Sequence, residues 1–122
     1  MDDNLQVQIS IDFKKFRIRV HKDSLRLIGN PRYIQLLVNV NELQVAFRGV
    51  DTDLRGMHAH KVNRAALASD FSFEIYSRTF IEMLRTTFDT FDENCTYRLT
   101  GMAVPKDRIA VFSICSMQKV ED

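Results

Sequence analysis

Apolar and charged residues alternate from Phe16 to Val20 (FRIRV), and the same period returns at Phe71, Phe73 and Ile75. Alternation of this kind predicts strands with one face turned inward, because successive side chains of a strand point to opposite sides. Phe16, Ile18 and Val20 take the inner face, and Arg17 and Arg19 point the other way, with Lys14 and Lys15 just before them. After each alternating run comes a helical signal. In the first, Asp23 or Ser24 is the expected N-cap, Leu25 and Ile28 face the core, and Gly29 and Pro31 stop the helix after about two turns. In the second, Ser77 caps a longer amphipathic stretch with Phe80, Ile81, Leu84 and Phe88 at helical spacing. Each helix then leads into a predicted hairpin: YIQLLVNV with LQVAFRGV, and TYRLTGMAV with RIAVFSICSM, the latter turning at Pro105-Lys106-Asp107.

The chain therefore reads as two βαββ units, about residues 7–64 and 70–119, within a single domain. Tyr33 with Val45-Ala46-Phe47 parallels Tyr97 with Ala110-Val111-Phe112. The expected fold class is α+β: a pseudo-two-fold internal repeat, with both helices on one face of a curved, mostly antiparallel sheet. Val7, Ile9 and Ile11 suit a short strand or an extended arm ahead of the first unit. Met57 to Val62 gives a weaker strand signal, and NRAALASD reads as a helical turn or a loop.

Composition narrows the class. A chain of 122 residues that is 45% hydrophobic, with nine Phe, supports one packed core. The apolar runs are far shorter than a membrane span, and the acidic start MDDNLQVQ does not read as a signal peptide. A cytoplasmic location with no membrane contact is the expectation, and Cys95 and Cys115, outside any C-x-x-C motif, are expected to be reduced thiols. The net charge of +1 hides an asymmetry. Residues 14–64 hold eleven Lys or Arg against four acids, whereas residues 65–122 hold six against nine. A polyanion-facing surface in the first half is one reading of this, and ordinary solvated surface is the other.

Motifs for chemistry are sparse. His58 and His60 are two apart, so on a strand both imidazoles would share a face and could meet one metal, with Asp51 and Asp53 upstream. No third ligand follows at a metal-site spacing, so no metal or other cofactor is assigned. His21, Asp23 and Ser24 are close in sequence, but adjacent side chains at a strand-to-helix junction diverge too far for a triad. No nucleophile elbow or Gly-rich phosphate loop is present. The chain does not read as an enzyme. The remaining candidates are cations: Lys22 and Arg26 on or beside the first helix, Arg32 just after it, and Arg78 and Arg85 on the second. With both helices on one side of a sheet, these would form one phosphate-contacting face.

The order of FRIRVHKDSLRLIG, LQVAFRGVDTDLRGMHAHKV, FSFEIYSRTFIEMLRTTF and YRLTGMAVPKDRIAVFS resembles one domain of the DNA polymerase sliding clamps. The resemblance covers most of residues 7–119 and is one of pattern. In that family six such domains build a ring, the helices line the hole and face DNA, and the sheets form the outer wall. The resemblance implies a non-catalytic clamp-like binding or assembly module. Double-stranded DNA would be its partner, contacted by Lys22, Arg26, Arg78 and Arg85. This chain departs from the family in carrying one domain where clamp chains carry two or three. A ring would then require self-association through exposed sheet edges. Two alternatives stand beside this reading: a small regulatory or protein-interaction domain with no nucleic-acid role, and a metal-binding protein using His58 and His60.

Overall fold

A computed structural model describes residues 5–52, 59–62, 72–92 and 94–120. Nine strands and two helices follow one another along these residues: β1 (Gln6–Asp12), β2 (Arg17–His21), α1 (Lys22–Leu27), β3 (Tyr33–Asn39), β4 (Gln44–Val50), β5 (Ala59–Lys61), β6 (Ser72–Tyr76), α2 (Arg78–Thr87), β7 (Thr96–Val104), β8 (Ile109–Ser113) and β9 (Gln118–Val120). The strands form one sheet in the order β5-β3-β4-β8-β7-β1-β2-β6, with β9 added to β7. Every ladder among the described residues is antiparallel.

This corrects the expected fold class. The molecule is sheet-rich, and its sheet curls into a nearly closed barrel with two helices, in place of helices laid on one face of a curved clamp-like sheet. The cause lies in pairings that the alternation along the chain does not encode. β1 pairs with β7, β2 with β6 and β4 with β8, so the two halves are stitched together by three ladders. These ladders merge the strands of both halves into one long sheet, and the twist accumulated across it curls the sheet towards closure. Its inward rows then share one core, and Leu25 and Ile28 of α1 and Phe80, Ile81 and Leu84 of α2 enter that same core.

Of the two expectations for Val7, Ile9 and Ile11, the strand holds. β1 is no arm: it pairs along its length with β7 and over Ile9–Asp12 with β2. Its inward residues Val7, Ile9 and Ile11 are fully enclosed. Ile9 lies between Val20 and Leu99, and Ile11 between Ile18 and Tyr97. The repeating element thus starts one strand earlier than the βαββ unit read from the sequence. Exchanging β1 with β5, β2 with β6, β3 with β7 and β4 with β8 maps every neighbour pair of that eight-strand order onto another, except β1–β2, whose counterpart β5–β6 is not paired among the described residues. The β2–β6 and β4–β8 ladders are centred on Arg19 opposite Glu74 and on Ala46 opposite Val111.

Helix and strand ends follow local chemistry, with some shifts from expectation. His21, and neither Asp23 nor Ser24, caps α1: its Nδ1 accepts the Asp23 N–H at 3.0 Å. Ser77 caps α2, accepting the Phe80 N–H at 3.2 Å. Gly29 ends the first helix with φ +89°, a left-handed backbone that glycine adopts without penalty. The buried end of α1 has an unusual cap. Arg108, from the turn after β7, donates its Nε–H to the Ile28 carbonyl at 3.1 Å and grips Asp51 with its two terminal nitrogens at 2.9 and 3.2 Å. That donor satisfies a helix-end carbonyl that has no intrahelical partner. β8 stops at Ser113, earlier than the expected run through Cys115. The Ser113 hydroxyl accepts the Cys115 N–H and the chain makes a 3-10 turn over Ile114–Ser116. Met57 and His58, and the NRAALASD segment, lie outside the described residues; Ala59–Lys61 of the weak strand signal is β5.

The contact of β7 with β8 is close at Gly101. A Cβ there would sit 1.9 Å from the Val111 carbonyl oxygen, and the obstacle is backbone, which cannot swing aside. Gly101→Ala is therefore expected to force the two strands apart at a cost of about 3 kcal/mol. Urea denaturation followed by circular dichroism checks this. A midpoint unchanged from the parent protein would show that the β7–β8 contact is looser than described.

Candidate functional site

The outward side chains of β6, β2, β1, β7 and β9 stand in rows across the barrel wall. One row runs Glu74, Arg19, Ser10, Arg98, Gln118, and the next runs Tyr76, Arg17, Asp12, Thr96, Val120. Arg17 and Arg19 lie about 7 Å apart along β2, and Arg19 and Arg98 about 10 Å apart across two strand spacings. Lys14 and Lys15 close one end of the array from the β1–β2 turn. The two lysines, Ser10, Asp12, Arg17, Arg19, Thr96 and Arg98, with Asn94 and Val120, line an open hollow of about 420 Å³ on the outer surface.

The turn that presents the two lysines is built on a buried acid. The Asp12 carboxylate accepts the backbone N–H groups of Lys14 and Lys15, each at 3.0 Å, and a guanidinium N–H of Arg17 at 3.3 Å. Aspartate commonly folds a turn in this way, by capturing N–H groups two and three residues on. Its consequence here is electrostatic. Asp12 is committed to the turn, while the side chains of Lys14 and Lys15 are left in solvent.

Glu74 is the second acid of this surface. It takes Arg19 at 2.8 Å and Arg17 at 3.3 Å. The hydrogen bond from Arg19, and then the charges of Arg19 and Arg17, hold its carboxyl below the ordinary glutamate value of 4.5, against a smaller opposing effect of burial. Lys14, Lys15 and Arg98 have no acid partner among the described residues. The surface therefore carries five cations and two acids, and the acids neutralise only its β2 edge.

The cations expected from the helices are distributed differently. α1 starts beside the His21–Ser72 end of the β2–β6 ladder, and α2 starts beside its Arg17–Tyr76 end. Lys22 and Arg26 are thus at one end of the ladder and Arg78 and Arg85 at the other. Arg26 pairs with Asp23 at 3.1 Å and borders a hollow with Gln6, Gln8 and His21. Arg78 pairs with Glu82 at 3.1 Å, lies over the Phe16 ring, and shares a groove with Arg85 and Lys14. Arg32 is exposed near Asp51, whose carboxyl is held low chiefly by hydrogen bonding from Arg108 and less by Arg32.

Of the metal candidates, His58 lies outside the described residues, and His60 is on β5 opposite Ile34. Among the described residues no three His, Cys, Asp or Glu side chains gather at one point. Cys95 and Cys115 are not joined to each other. No described helix is long and apolar enough to cross a membrane.

Sequence reasoning placed Arg17 and Arg19 on the outward face but did not make them part of the site. The missing signal was Arg98. It lies 79 positions from Arg19 in sequence, and only the insertion of β1 between β2 and β7 makes them neighbours in one row. No family model, curated protein or solved structure matches the chain, so its likeness to the sliding clamps rests on sequence pattern alone.

The state of Glu74 can be checked by acid titration of stability. Its folded pKa is lowered, so the ionised form stabilises the fold above the unfolded value of 4.5, and this contribution is lost as pH falls through the folded pKa. Glu74→Gln should flatten the fall in stability below pH 4.5 and change its slope little above it. An acid limb identical to the parent's would show that Glu74 is not held by Arg17 and Arg19 in solution.

Proposed function

We propose that this domain is a non-catalytic binding module that holds nucleic acid by its phosphate backbone, on the outer wall formed by β2, β1, β7 and β9. The observation that carries this reading is the group of Lys14, Lys15 and Arg98, which surround one polar hollow and whose side chains form no ion pair among the described residues. Cations with no internal partner are free to trade their solvent counterions for phosphate oxygens. Ser10, Thr96 and Asn94 between them add hydroxyl and amide groups that can hydrogen-bond phosphate or sugar. Contacts of this type position a backbone and carry no sequence information.

Support for a binding role in place of catalysis comes from the same lining. Its carboxylate, Asp12, is occupied by two backbone N–H groups and Arg17, which leaves it poorly disposed to accept a proton from a substrate. The hydroxyls of Ser10 and Thr96 are bordered by cations, with no histidine lining the hollow to activate them.

The expected behaviour is affinity that falls with salt. Three to four phosphate contacts give a slope of about −2 to −3 in log K against log salt for a single strand. Replacing Lys14, Lys15 and Arg98 together by Gln should weaken binding about tenfold or more at low salt and make the slope shallower. All three side chains are exposed, so thermal stability should stay close to that of the parent. Arg26→Gln and Arg78→Gln serve as the comparison. Retained binding in the triple variant together with loss in the helix variants would move the site to the helices. Absence of salt-sensitive binding by the parent protein would end the proposal.

A further inference from the structure

Tyr76 is an unusual neighbour for a phosphate-holding surface. It is 63% exposed, more than any other large hydrophobic side chain among the described residues. It points outward because Phe73 and Ile75 of the same strand take the core. It sits directly across from Arg17, in the same row as Asp12 and Thr96. Its hydroxyl reaches Glu74 only at 3.4 Å, a weak tether. Nothing in the folding of the barrel requires an aromatic ring here, since a polar residue would fit a solvated outward position equally well.

We infer that the surface takes single-stranded nucleic acid, with one base stacked on Tyr76 while the adjoining phosphates lie along Arg17, Arg19 and the unpaired cations. This rests on the basic-face reading above and specifies its ligand. The argument turns on what a ring face can reach. In a duplex the bases are stacked on one another and present only their edges, at the floor of a groove. The duplex major groove admits a helix or a two-stranded ribbon. The rows described here lie on the barrel wall, and Tyr76 ends its row on β6, a strand of that wall and not a projecting element. An unpaired base can lie flat on that ring, and stacking of this kind tolerates any sequence. The spacing is compatible as well, because Tyr76 and Arg17 are direct cross-strand partners, so a base on one keeps its own phosphate within reach of the other. Glu74 has a defined part in this arrangement. It occupies Arg17 and Arg19 in the free protein, and an arriving phosphate must compete with it.

Fluorescence anisotropy with a labelled mixed-sequence 12-mer, single-stranded and as the matching duplex, tests this. The single strand should bind more tightly than the duplex at equal salt. Tyr76→Ala should weaken the single strand about tenfold and leave its salt slope unchanged, since the ring carries no charge. Tyr76→Phe keeps the stacking face and loses the hydroxyl, so it should bind as the parent does. That variant separates stacking from the link to Glu74. Duplex affinity equal to or above that of the single strand, or an undiminished Tyr76→Ala, overturns this inference and leaves the basic-face proposal standing. Failure of both probes to bind overturns both. Glu74→Gln should raise single-strand affinity by freeing Arg19 and loosening Arg17, which keeps its bond to Asp12, and a loss there would also count against the competition described.

Discussion

β1 lies between β2 and β7, and nearly everything else follows from that placement. Its inward row brings Ile9 between Val20 and Leu99 and Ile11 between Ile18 and Tyr97, so one strand carries the core from the first half of the chain into the second. A shift of one residue in either ladder would turn that whole row outward. The cost would be exposure of Val7, Ile9 and Ile11, each worth about 1.5–3 kcal/mol of burial. Asp12 fixes the end of the strand by folding the turn that returns the chain into β2.

The same placement creates the outer surface. Inner and outer faces of a strand alternate, so locking Ile9 and Ile11 inward locks Ser10 and Asp12 outward. Ser10 then lies between Arg19 and Arg98, and Asp12 between Arg17 and Thr96. The core and the cationic array are thus two sides of one register. Their energetics differ. Exposed guanidinium and ammonium groups contribute little to stability, whereas the inward row contributes much. A surface with little effect on folding is free to be specialised for a ligand.

Much of the local structure was legible in the sequence. The period-two runs located β2, β3, β4, β6, β7 and β8, the Gly29 stop marked the end of α1, and the Ser77 cap marked the start of α2, while the expected Asp23 or Ser24 cap of α1 gave way to His21. The closure of the sheet was not legible. FRIRV and SFEIY state that each is a strand with one buried face, but nothing in either run states that they pair with one another. The same gap hid the site. Arg19 is visible as an outward residue, yet its adjacency to Arg98 depends on the pairing partners of a segment that reads from sequence as a short strand or an extended arm. The helix cations drew attention because helices are easily located, and two of them, Arg26 and Arg78, are paired to acids of their own helix, Asp23 and Glu82. The likeness to sliding clamps drew on the order of elements, and order alone does not distinguish an open curved sheet from one that nearly closes.

The strand order also bears on how the protein is made. β1 leaves the ribosome well before its partner β7, which begins some 84 residues after Asp12. Until then one edge of β1 has no native neighbour, although β2 emerges almost at once. Contacts so distant in sequence slow the final closure, because a long loop must be ordered before they form. The nascent first half therefore exposes Val7, Ile9 and Ile11 on a half-paired strand, and it is during synthesis that this chain is most open to mispairing with another copy of itself.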